Sequence, residues 1–260
     1  MLRAAADLVA LQAYLRVAAV HHREVVRSGP FVLHLDAVSP SPGLNYAIPD
    51  DGTAPSRGQV SALMAAFAAR ELTPALEYLP ALSPDAEGPL RAGGLGVEAR
   101  IPVMLAPAAD LVDVPPPLGV GIVVADSRTS ALTLTRIVAV QEAAFGAPAR
   151  VVEQGEVERL RRTARDGVVA FAYADGEVIA GGVALTVRDG FTELAGIGVD
   201  AAHRGRGIAG ALTAVLAREA VARGARTPFL TPADEAAGRV YARAGFRIAG
   251  EMLHLRGVSG

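Results

Sequence analysis

Apolar and polar positions change period several times along the chain. Leu2 to Arg27 is helical in pattern, and Ser28-Gly29-Pro30 stops it. Phe31-Val32-Leu33-His34-Leu35 predicts a short strand, Ser39 to Gly43 a loop, and Leu44 to Pro49 a further strand. Asp50-Asp51-Gly52 is a turn before an alanine-rich helix over Gly58 to Arg70. Ala108 to Pro117, with Asp110, Asp113 and consecutive prolines, predicts a stiff linker. Beyond it, Gly121 to Val124 predicts a strand, and Thr133 to Phe145 and Gly155 to Arg165 predict helices. The second helix carries Glu158 and Arg162 at an i,i+4 spacing. Asp175-Gly176 joins Val168–Ala174 to Glu177–Val187 as a hairpin, and Asp189-Gly190 turns the chain into an apolar strand ending at Val199. Leu212, Val215 and Leu216 then mark the apolar face of a helix.

The element order repeats. Thr73-Pro74 leads into Leu76–Leu79, a short helix, then Gly93-Gly94 and an apolar strand to Met104. Thr227-Pro228 leads into Phe229-Leu230, a short helix, then Ala244-Gly245 and an apolar strand to Leu253. Such matching argues for two similar domains, over 1–112 and 118–260, of mixed α/β (α+β) class. The two halves differ at one place. Where the later half has Arg204-Gly205-Arg206-Gly207, the earlier has Asp50 to Gly58, with two aspartates and Pro55. That difference predicts no anion site in the first domain.

Composition narrows the chemistry. The 260 residues contain no cysteine and no lysine, carry a net charge of −2 and are 51% hydrophobic. Disulfides and thiolate chemistry are excluded, a sizeable core is expected, and nothing favours nucleic acid or an anionic membrane as partner. The charged N-terminal stretch is unlike a secretion signal or a membrane span, so a cytoplasmic location is expected. Homodimerisation is left open. His21-His22 lacks the spacing and carboxylate company of a metal site, and no metal is expected.

Arg204-Gly205-Arg206-Gly207-Ile208-Ala209-Gly210 lies between strand and helix. The first N–H groups of a helix have no internal partner, the helix dipole favours negative charge there, and glycines let an anion approach. The N–H groups of Arg206 to Gly210 therefore read as a pyrophosphate cradle. Gly205-x-Gly207-x-x-Gly210 formally fits the dinucleotide fingerprint, but that fingerprint belongs early in a strand-helix-strand repeat. Arg204 to Ala209 also fits Arg/Gln-x-x-Gly-x-Gly/Ala. In that pattern the chain resembles the GCN5-related N-acetyltransferases (GNAT) in tandem arrangement, with a degenerate first copy. A second match is Asp234-x-x-Ala237-x-x-Val240-Tyr241-x-x-x-Gly245-Phe246, where Asp234 replaces the usual asparagine. The resemblance covers about 117–255. It implies tandem domains, each a mixed, mostly antiparallel sheet flanked by helices.

The resemblance also implies roles. Acetyl-CoA would be the cosubstrate, held by Ile197, Val199, Arg204, Gly205, Arg206, Gly207, Ile208, Ala209, Gly210, Asp234 and Tyr241. Val199 would offer a backbone N–H to the oxyanion. An amine, from a small molecule, would attack the thioester directly. Tyr241 would be the general acid and Glu193 the general base. Glu251 is a second candidate base; His203, His254 and His34 are weaker. The alternatives are an acyl-CoA-binding sensor or scaffold without catalysis, and a nicotinamide-dependent enzyme.

Overall fold

The computed structural model describes residues 2–18, 23–36 and 44–258, and His21 and His22 lie outside them. The chain forms two compact units, Met1–Val103 with Ala249–Gly260, and Met104–Ile248. The division falls at Val103 and Ala249 instead of within 108–117, and the last strand joins the first unit.

The first unit runs α1 (Leu2–Ala18), β1 (Arg23–Ser28), β2 (Phe31–Asp36), β3 (Tyr46–Pro49), α2 (Arg57–Ala68), β4 (Ala75–Tyr78), α3 (Glu87–Ala92) and β5 (Leu95–Leu105). The expected helix to Arg27 is corrected here. It ends at Ala18, and Arg23–Ser28 pairs antiparallel with β2 through a turn at Gly29. Val25 and Val26, β-branched, suit that strand. β2 pairs antiparallel with β3, and β3 pairs parallel with β4. The neighbour of β4 is β11 (Arg247–Gly257), from the far end of the chain. Leu253 and Leu255 of β11 are buried with Phe31, Leu63, Phe67 and Leu76.

The second unit runs β6 (Gly121–Val124), α4 (Ala131–Ala144), α5 (Gln154–Asp166), β7 (Val168–Ala174), β8 (Glu177–Ala184), β9 (Phe191–Val199), α6 (Ile208–Ala222), β10 (Thr227–Leu230) and α7 (Glu235–Arg243). β6, β7, β8 and β9 pair antiparallel in sequence, and β9 pairs parallel with β10. The end of β5, Met104 and Leu105, lies against β10. The order helix, strand, short helix, strand read from the sequence is present twice, as α2, β4, α3, β5 and as α6, β10, α7, β11.

β7 shows how the sheet is sandwiched. Val168, Ala170, Ala172 and Ala174 pack into the core under α6 with Leu194, Leu212 and Leu216. Val169 and Phe171 pack on the other face with Leu134, Ile137, Val157 and Leu160 of α4 and α5. This is the period-two alternation of a strand buried on both faces. On α5 the ion pair is Glu158–Arg161 at 3.7 Å, one residue short of the expected Arg162. No helix among the described residues is long and apolar enough to cross a membrane.

Candidate active site

Helix α6 starts without a side-chain cap. Gly207, its N-cap residue, has φ +86°, and a Cβ there would meet open space. A side chain would be strained at this φ and would stand where a ligand must approach. The first hydrogen bond into the helix is Ala211 N–H to the Gly207 carbonyl at 3.2 Å. The N–H groups of Ile208, Ala209 and Gly210 thus remain as donors at the positive end of the helix dipole. They open onto a cleft of about 240 Å³ lined also by Val199, His203, Arg204 and Gly205. Val114, Val240 and Arg243, none of them expected from the sequence to hold the cofactor, complete the lining. Val240 and Arg243 fall within the Asp234-to-Phe246 stretch, and their i,i+3 spacing on a helix was the available signal.

Arg204 is committed elsewhere. Its Nε donates to the Val199 carbonyl and an Nη to the Ala144 carbonyl, both at 3.1 Å. It ties the end of β9 to the last turn of α4. Arg206 is exposed and makes no hydrogen bond or ion pair among the described residues, and the same is true of Arg243. Of the two, Arg243 lines the cleft and Arg206 does not. His203 Nδ1 lies 3.2 Å from Asp200 Oδ1, and this contact, together with the Ala202 N–H, holds the Asp200 carboxyl below the usual range.

Beside this loop the sheet opens. β9 and β10 are in register only over Phe191 to Glu193, whereas β8 follows β9 to Val199. Asp200 N–H donates to the Ile179 carbonyl, so by alternation the backbone groups of Val199 and Ile197 face away from β8, toward the open edge. Two residues of β9, Gly196 and Ile197, stand opposite Gly182 alone, a bulge. Gln141 of α4 donates to the Gly196 carbonyl at 2.7 Å and braces it. Because Arg204 holds the Val199 carbonyl, the Val199 N–H is what this residue presents to the gap.

Glu193 and Tyr241 do not line the cleft. Glu193 is half-buried at the last position of β9 that pairs with β10, and burial pushes its carboxyl up to about 7. Tyr241 is half-buried on α7 and packs on the core; burial first, then the Asp234 carboxylate, push its hydroxyl up. Asp234 also stands outside the cleft. Its carboxylate caps α7 by accepting from Ala237 N–H at 2.7 Å, which is why aspartate serves where asparagine was expected. Glu251 is paired with Arg100 at 2.8 Å. His34 is buried on β2, and burial holds the His254 imidazole below its usual value.

Helix α2 is closed by a capping box, with the Ser56 hydroxyl accepting from Gln59 N–H and the Gln59 side chain accepting from Ser56 N–H. Asp50 is held bidentate by Arg27, and Asp51 is paired with Arg16 at 2.6 Å. Of the three first-turn donors that α6 leaves open, the equivalent of one in α2, the Gln59 N–H, is taken by the Ser56 hydroxyl.

Residues 136–246 match the profile of the acetyltransferase (GNAT) family. The chain is similar along nearly its whole length to a GCN5-related N-acetyltransferase from Kribbella flavida. Identity is 25%, coverage 97% of this chain and 96% of that one, and the TM-score 0.81. It shares its fold with a tandem GNAT protein from the clavulanic acid biosynthesis pathway (17% identity, 91% and 83% covered, TM-score 0.61). It also shares it with a putative acetyltransferase from the GNAT family of Novosphingobium aromaticivorans (21% identity, 91% and 92% covered, TM-score 0.54). No curated protein sequence matches the chain.

Proposed function

We propose that the second unit transfers an acetyl group from acetyl-CoA to an amine of a small molecule by direct attack. The observation that carries this is the uncapped start of α6 set beside the open edge of β9. One binds a diphosphate, and the other offers Ile197 and Val199 backbone groups to an amide-bearing arm. Arg206 and Arg243 add charge-assisted donors.

The residues divide the proton work. Glu193, titrating near neutrality, takes a proton from the attacking amine, directly or through water. Tyr241 stays protonated at neutral pH and supplies a proton to the leaving thiolate. The Val199 N–H stabilises the carbonyl oxygen as charge develops on it. The first unit, with its capped helix and paired aspartates, supports the fold without binding acyl-CoA. A small-molecule acceptor is favoured by the likeness to the tandem GNAT protein from the clavulanic acid biosynthesis pathway.

Thermal shift tests the reading in two stages. Acetyl-CoA should stabilise the chain and NAD(P) should not, since only a ligand bound to the folded state raises its stability. Thiol release should then depend on one member of an amine panel. Stabilisation with no amine-dependent thiol release would favour a sensor or scaffold.

A further inference from the structure

β6 is the outermost strand of the second unit, and among the described residues no strand pairs with its far side. Its residues, Gly121-Ile122-Val123-Val124, are all apolar, and none is buried. Ala125 N–H donates to the Val169 carbonyl at 2.8 Å, so by alternation the backbone groups of Ile122 and Val124 point away from β7. Those groups make no hydrogen bond among the described residues. On one face Ile122 and Val124 pack on the core, with part of each left exposed. On the other, Val123 is 40% exposed, and the Tyr173 ring, 42% exposed, lies across Gly121 beside it.

An unpaired strand edge is a template for another strand, and chains protect such edges with charge. β1, the outermost strand of the first unit, follows that rule. It carries Arg23, Glu24 and Arg27, and Glu24 is paired with Arg70 and Arg27 with Asp50. β6 carries no charge.

We infer that β6 pairs antiparallel with β6 of a second copy of this chain, about a two-fold axis at Val123. The register follows from which groups point outward. Setting Ile122 against Val124 of the second copy, and Val124 against its Ile122, satisfies every outward N–H and C=O of the strand. The two Val123 residues then form a non-hydrogen-bonded pair, where facing side chains come closest. Their exposed methyl groups cover one another. No like charges meet, because Asp126, just beyond the strand, falls opposite Val120. Its carboxylate is turned back to the Arg128 N–H at 2.8 Å. An uncharged strand gives a charged segment nothing to read, whereas its own sequence meets it without a clash. β7 and β8 stand between this edge and β9, so the contact is remote from the open edge of β9. A four-residue edge is a small contact beside the about 1,600 Å² that specific complexes bury, so the dimer is weak and depends on concentration.

The chain has no cysteine, so Val123→Cys supplies a single thiol at the axis. Facing Cβ atoms at such a pair lie about 4.5 to 5.5 Å apart, near the span of a disulfide. Copper-catalysed air oxidation of the full chain should convert most of this variant to a covalent dimer. Leu118 is 99% exposed but lies off the axis. Leu118→Cys should therefore cross-link at least about tenfold more slowly, although its thiol is the more accessible. Sedimentation of the unaltered chain should show a monomer–dimer equilibrium. Val124→Pro removes an outward N–H, a change an edge strand tolerates, and should weaken the dimer about tenfold. Equal cross-linking of the two cysteine variants, or a dimer that Val124→Pro leaves intact, would overturn the pairing. So would an unaltered chain that stays monomeric at about 200 µM.

Discussion

Replacing Glu193 with glutamine keeps the shape of the side chain and removes its charge. The carboxyl has an ordinary value of 4.5 and is pushed up to about 7 by burial. Below pH 4.5 it is protonated whether the chain is folded or not, so it contributes no pH dependence there. Between the two values the unfolded chain releases the proton and the folded chain keeps it. Stability therefore falls as pH rises across this window, by about 1.4 kcal/mol per pH unit. Above the folded value the loss levels off, at an upper limit of about 3 kcal/mol. Glu193→Gln removes this cost. Urea unfolding of both proteins at about pH 5 and about pH 8 reads the difference directly, without any knowledge of the acceptor. The variant should gain on the unaltered chain as pH rises. With an acceptor in hand, the same variant should lose about 10²- to 10⁴-fold in turnover, and the rise in rate with pH near neutrality should vanish. Parallel stability curves for the two proteins would refute the perturbed carboxyl, and with it the case for Glu193 as base.

Other substitutions separate roles that the loop sequence merges. Arg204→Ala should lower both stability, by about 1 to 3 kcal/mol, and CoA affinity, because two backbone carbonyls lose their donor. Arg206→Ala should lower only the affinity, and calorimetry beside a urea melt distinguishes them. Tyr241→Phe should cut turnover and leave CoA affinity within about twofold; full activity would mean that water or another group protonates the thiolate. Leu253→Ala should destabilise the protein by about 2 to 5 kcal/mol in urea unfolding, since this fully buried side chain of β11 sits in the core of the first unit.

Much of the site could be read from the sequence because its chemistry is local. Gly205, Gly207 and the flanking arginines lie next to one another in the chain and stand where a helix begins. Asp175-Gly176 and Asp189-Gly190 were legible for the same reason, and all four adopt positive φ. Arg204 shows the limit. Its residue type predicts an anion contact, but its hydrogen bonds go to Val199 and Ala144, and the Ala144 carbonyl is brought close only by folding. The prolines near 115 carry the composition of a linker, and nothing local reports the bonds from Ala106 and Val112 to the Pro228 carbonyl of β10 and the Ala244 carbonyl at the end of α7. The place of β11 beside β4 was equally hidden, because its partners lie far back in the chain. In Arg23–Ser28, the ladder with β2 prevailed over the helical pattern that precedes it.

The central claim is that one loop, at the start of α6, binds the diphosphate of coenzyme A. Titrating CoA into the full chain and into Gly207→Glu, with heat of binding as the signal, tests it most directly. The account predicts one equivalent bound per chain, and no binding once a carboxylate stands at the mouth of the helix. Two equivalents per chain, or undiminished affinity in Gly207→Glu, would contradict it.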